Sequence, residues 1–180
     1  MRIRRKLIVQ RASELLELAD CSKPPIDVEQ IADFLGIRVL RSPDASGHSG
    51  FLLMGSSSKT PIIGVNSTQS PVRQRFTIAH EIGHFVLHRS LPLHVDEPAS
   101  FRIERRSHVS TRGDDPKEIE ANAFAAELLM PRQALSEDVE DSDALLDLTE
   151  DEDLSSLANR YQVSAAAMTF RLANLGYISL

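Results

Sequence analysis

Residues 76–88 read Phe76-Thr77-Ile78-Ala79-His80-Glu81-Ile82-Gly83-His84-Phe85-Val86-Leu87-His88. At the centre is H-E-x-x-H. A helix repeats every 3.6 residues, so His80 and His84 lie on one face, one turn apart. Two imidazoles so placed suit one Zn²⁺ ion. Glu81 is rotated off that face by roughly 100°. That is too far round for the natural third ligand, but well placed for taking a proton from a water activated by the metal. These are the parts of a zinc hydrolase. The competing reading is a chance match, with both histidines hydrogen-bonded in a core.

The residues around the motif favour a buried helix. Ser70 suits the N-cap and Pro71 the first helical position. Val72, Phe76, Ala79, Gly83 and Val86 form one apolar stripe; Ile78, Ile82 and Phe85 form another. A helix apolar on more than one face is usually buried. Histidine and glutamate inside such a helix are costly unless paired or bound to metal. His88 continues the face, but at i+8 it lies about 12 Å from His80 and reads as a helix-end or supporting residue. A third histidine after a glycine turn is missing, because Leu87 and Ser90 stand where that pattern needs glycine and histidine.

The third ligand is expected on a second helix, Asp115-Pro116-Lys117-Glu118-Ile119-Glu120-Ala121-Asn122-Ala123-Phe124-Ala125-Ala126-Glu127-Leu128-Leu129-Met130-Pro131. Asp115 caps it, Pro116 fits its first turn and Pro131 stops it. Glu118 and Asn122 share a face. A carboxylate opposite two histidines gives a His₂Glu site, and Asn122 suits a bond to one of the ligands. Glu118 is the first candidate, although it also fits a capping box with Asp115. Glu120 and Glu127 are rival carboxylates.

Taken together, F-T-I-A-H-E-I-G-H-F-V-L-H and E-I-E-A-N-A-F-A-A-E-L-L-M-P resemble the ImmA/IrrE family of zinc metallopeptidases. The resemblance extends upstream through residues 61–66 and Arg73-Gln74-Arg75. It continues more weakly through residues 157–164 and 168–172. It implies a gluzincin-like fold in which E-x-x-A-N supplies the third zinc ligand, which places that role on Glu118. It also implies a protein substrate, typically a transcriptional repressor encoded nearby, in mobile elements, toxin–antitoxin pairs or stress responses. The IrrE branch carries a further sensor domain. A chain ending at Leu180 is expected to be the short form.

Composition agrees with a globular chain. Of the 180 residues, 42% are hydrophobic and 26% charged, enough for a useful core. One cysteine, Cys21, excludes an internal disulfide and suits a reducing compartment, so a cytoplasmic protein is expected. No signal-peptide pattern and no apolar run of membrane-spanning length is present. The net charge of −6 is uneven. Residues 137–153 hold 10 acidic and no basic residues, leaving 16 acidic and 20 basic residues elsewhere. Such a run reads as a solvated linker. The basic tip, Arg2, Arg4, Arg5 and Lys6, reads as a solubilising segment rather than a contact for nucleic acid.

The expected fold class is α+β, a small sheet packed on the two zinc helices with a helical C-terminal appendage. Four segments are expected: an N-terminal helix (1–23), the metallopeptidase core (24–135), an acidic linker (136–153) and a helix-turn-helix-like segment (154–180). Helical spacing of apolar residues from Leu7 to Ala19 gives the first helix; Asp27 opens a second, ended by Gly36. Residues 37–40, 50–54 and 61–66 read as strands. The last runs into the zinc helix and is the candidate edge strand for binding a substrate backbone; an interior strand is the alternative. Residues 89–114 read as a functional loop or hairpin with a basic cluster at Arg102, Arg105 and Arg106. His94, His108 and Tyr161 are candidate oxyanion donors, each with a surface role as the competing reading.

The C-terminal segment offers Thr169, Arg171 and Asn174 for reading DNA, after an acidic run that would repel phosphate. Protein docking or packing is the preferred reading. Two rival functions remain: a non-enzymatic regulator that binds a repressor or DNA and uses zinc structurally, and a deformylase-like amidase. The amidase would need a cysteine ligand, and Cys21 has no suitable motif around it.

Overall fold

The computed structural model describes residues 3–43, 49–54, 60–88, 102–104, 115–140 and 151–179. His94, His108, Arg105, Arg106 and most of the 89–114 stretch lie outside them, as does 141–150 of the acidic run. The elements in order are α1 (Arg5–Leu18), α2 (Val28–Phe34), β1 (Arg38–Ser42), β2 (Gly50–Met54), β3 (Ile62–Asn66), α3 (Pro71–Leu87), β4 (Arg102–Glu104), α4 (Pro116–Leu129), α5 (Arg132–Glu140), α6 (Asp151–Tyr161) and α7 (Ala165–Leu175). The class is α+β, as expected.

Most of the local signals act at the positions that carry them. The Asp27 side chain accepts from the amides of Glu29 and Gln30 and starts α2. Gly36 follows that helix at φ 70°, a left-handed turn that glycine enters without a Cβ clash. Pro71 and Pro116 occupy the first turns of α3 and α4. Asp115 caps α4 by accepting from the amide of Lys117, while Ser70 makes no side-chain cap bond.

Among the described residues the strands form a four-stranded sheet in the order β1-β3-β2-β4. β1 lies parallel to β3, with Leu40 opposite Gly64; β2 is antiparallel to both its neighbours, with Leu52 opposite Ile63. This corrects the edge-strand expectation. β3 is interior, with β1 on one side and β2 on the other, so its backbone groups are spent on the ladder. Its burial fits that place: Ile63 and Val65 enter the core.

Helix α3 packs on β2, β3 and α2, and α4 packs across α3. Every residue of α3 from Thr77 to Phe85 is buried. Ile78, Ile82, Phe124 and Leu128 form the centre of the core, which α1 joins through Ile8, Ala12, Leu15 and Leu16 by lying on α4. Gly83 is the point of closest approach. A Cβ built there would meet the Ala121 carbonyl oxygen at 3.1 Å and the Phe124 Cβ at 3.2 Å. A methyl group would push the two helices apart by a few tenths of an ångström.

Downstream, residues 136–140 of the acidic stretch continue α5, and Leu135 of that helix is fully buried. α6 and α7 pack on each other around a turn in which Ser164 caps α7. Arg171, a sequence candidate for DNA contact, points inward instead. It donates to Glu127 Oε2 at 2.7 Å and to the Met130 carbonyl at 3.0 Å. Arg171 is the one basic residue in the α7 sequence, so that helix has no basic side chain facing outward for phosphate. Tyr161 is likewise committed: it is fully buried and its hydroxyl donates to Asp138 at 2.8 Å. Burial, then that bond, pushes its phenol well above the usual range. This corrects its candidacy as an oxyanion donor.

The Glu127–Arg171 pair locks α7 to the end of α4. Removing one partner leaves the other charge buried, which costs about 3–5 kcal/mol. Arg171→Met is therefore expected to lower the urea midpoint without changing the slope. Replacing both residues by apolar ones should cost less than the single change. A single variant as stable as the parent would show that the pair contributes nothing to holding α7.

Candidate metal centre

His80 and His84 reach the same side of α3 because they are one helical turn apart. Glu118, in the first turn of α4, is brought to them by the Gly83–Ala121 contact. The Nε2 atoms of His80 and His84 are 3.0 Å apart. Glu118 Oε2 is 3.3 Å from His80 Nε2, and Glu118 Oε1 is 3.0 Å from His84 Nε2. These three residues form a group able to hold a metal ion, with one ligand atom from each lying within 4.8 Å of the others. His80 is 1% exposed and His84 8%, while the Glu118 side chain is a quarter exposed. The carboxylate side of the group is thus the side open to solvent.

The residues fit a small divalent cation. Tetrahedral ligands at about 2.0–2.1 Å from an ion are separated from one another by about 3.3 Å. The observed 3.0–3.3 Å matches that edge length. Protonation points the same way. His80 Nδ1 lies 2.9 Å from Asn122 Oδ1, which can only accept, so Nδ1 carries the proton. A neutral His80 then presents a lone pair at Nε2, facing a second imidazole and a carboxylate. A cation between them satisfies all three. With a proton in place of the cation, hydrogen bonding from His80, then from His84, holds the Glu118 carboxyl well below its usual range, although burial works the other way. The carboxylate thus stays in the ionised form a metal requires.

The rival carboxylates are occupied elsewhere. Glu120 is fully buried and its Oε1 accepts from the Arg4 backbone amide at 2.9 Å and from Arg4 Nε at 3.0 Å. This corrects the reading of Arg4 as part of a solubilising tip. Glu127 is held by Arg171 and by the Arg132 amide. His88 caps α3 rather than joining the group: its Nε2 lies 3.2 Å from the Lys117 carbonyl. Glu81 is 3% exposed within α3, one residue beyond His80. The sequence signal for the Arg4 link was the buried position of Glu120 itself, a carboxylate between apolar neighbours that demands a cation. Its partner lies 116 residues away, beyond any local pattern.

Two packed helices bring a His-x-x-x-His pair and a carboxylate to one point, a group able to hold the metal that a metallopeptidase needs. The chain belongs to the peptidase family described as the IrrE N-terminal-like domain, whose profile matches residues 32–173. It is 34% identical over 111 residues to the radiation response metalloprotease IrrE of Deinococcus radiodurans. It is 30% identical over 111 residues to the metallopeptidase ImmA of Bacillus subtilis. Each alignment covers 62% of this chain, but 30% of the first relative and 58% of the second. The chain thus spans less than two thirds of the length of either.

Proposed function

We propose that this chain is a zinc-dependent endopeptidase of gluzincin type. His80, His84 and Glu118 would hold the ion, and Glu81 would act as general base. The observation that carries the reading is the convergence of the three donors at the helix crossing. Zinc supplies Lewis acidity, which acidifies a water and polarises a peptide carbonyl. Around it, Asn122 fixes the tautomer and ring orientation of His80, so that the Nε2 lone pair faces inward. Glu81 takes the proton of the attacking water and passes it to the leaving nitrogen. The buried helix surface around His80 and Glu81 excludes bulk water, which strengthens both charge interactions.

The substrate class we propose is a protein, a transcriptional repressor encoded near this gene. The names of the relatives, both metallopeptidases, support the peptidase part. A cytoplasmic location fits the single, buried, unbridged Cys21. None of the described helices is long and apolar enough to cross a membrane. The rival, a zinc site used only structurally, would be closed by four protein ligands. Among the described residues the group has three, which favours a position left open for water or substrate.

Incubating the zinc-loaded protein with the neighbouring repressor tests this. Two complementary fragments should appear by mass spectrometry, and a chelator should abolish them. Repressor that stays intact while its DNA binding is relieved would support the non-enzymatic regulator instead.

A further inference from the structure

Outside the three donors, the start of α1 holds a fork of charge-assisted hydrogen bonds. Arg4 meets Glu120 with its backbone amide at 2.9 Å and its Nε at 3.0 and 3.1 Å from the two carboxylate oxygens, and Nη2 completes the fork. The same Nη2 reaches the Leu87 carbonyl and His88 Nδ1, each at 3.5 Å. These last two contacts are long and weak; the fork on Glu120 is the strong one. His88, in turn, donates from Nε2 to the Lys117 carbonyl. Lys117 and Glu120 flank Glu118 on α4, and both are therefore tied to the C-terminal end of α3, one turn beyond His84.

We infer that Arg4 is a positioning residue for the metal centre. Resting on the reading that His80, His84 and Glu118 bind zinc, it clamps the first turn of α4 to the end of α3 and so sets Glu118 opposite the histidines. Gly83 and Ala121 set the point of closest approach, and the first turn of α4 lies N-terminal to it. That turn carries the carboxylate whose displacement by half an ångström would spoil the coordination. Glu120 is 0% exposed, so without Arg4 its charge would draw the turn outward toward water. Arg5, the next residue, is exposed and serves as the control.

The test is zinc affinity of the metal-stripped protein, by competition with a chromophoric chelator, together with the visible spectrum of the Co²⁺-loaded form. Arg4→Ala and Glu120→Gln should each weaken zinc binding about tenfold, the low end for residues that support ligands. Their double variant should be no weaker than either single one, because both break the same clamp. Arg4→Lys should fold and recover only part of the affinity, since an ammonium neutralises Glu120 without the planar fork. The cobalt bands should shift in Arg4→Ala and Glu120→Gln but not in Arg5→Ala. Affinities within about a factor of two of the parent, with unchanged cobalt spectra, would overturn the inference even if the urea midpoint fell; Arg4 would then only neutralise a buried charge. Effects that add in the double variant would also overturn it. A parent that takes up no zinc would sink the site reading itself, a separate outcome.

Discussion

Glu81→Gln is expected to keep zinc and the fold, yet to lower peptide-bond cleavage by about 10²–10⁴-fold, the usual worth of a general base. Glutamine matches the shape of glutamate, so the packing of this 3% exposed side chain survives. What is lost is the basic carboxylate able to take a proton. The change separates enzyme from binder. A metallopeptidase loses turnover with little change in substrate affinity, so the fall should appear in kcat more than in KM. In cells, intact repressor should accumulate and repression should return. If the variant relieves repression as well as the parent, with no fragments from either, the peptidase reading fails.

Removing a ligand should have the largest effect on the metal. His80→Ala, His84→Ala and Glu118→Ala each take one of three donors from the group. Supporting residues around metal ligands are worth roughly 10–100-fold in affinity, so loss of a ligand itself should exceed that. Metal analysis after dialysis should find about one zinc per chain in the parent and well below half that in each variant. Glu120→Ala belongs in the same series because the two carboxylates are two positions apart. It should lose far less zinc than Glu118→Ala, about the tenfold in affinity that the broken Arg4 clamp costs, since Glu120 is turned toward Arg4 rather than toward the histidines. Full occupancy in Glu118→Ala with loss in Glu120→Ala would reverse the assignment.

Sequence leaves open whatever depends on distant partners. β3 fits both an edge and an interior strand, because a strand's own residues say which faces are apolar, not which strands lie beside it. Its place between β1 and β2 is decided by residues 38–42 and 50–54, which pair with it in opposite directions. A polar tip on an apolar stripe, as at Tyr161 and Arg171, fits both a surface and a buried network. Their partners, Asp138 and Glu127, lie 23 and 44 residues away. Arg4 reads as one member of a basic tip, and its partner is a buried carboxylate 116 residues along the chain.

What the sequence determined alone was everything that one helix turn or one cap controls. Spacing of four put His80 and His84 together, because the helical period is a local property of the backbone. Asp27, Gly36, Pro71, Asp115 and Pro116 set helix ends, because capping and the proline ring act within a few residues. The tertiary structure decided which carboxylate meets the histidines. Glu118 and Glu120 differ by about 200° around α4, so when Gly83 seats that helix on α3 one faces the histidines and the other Arg4. That rotation is set by packing between helices, and no property of either helix alone specifies it.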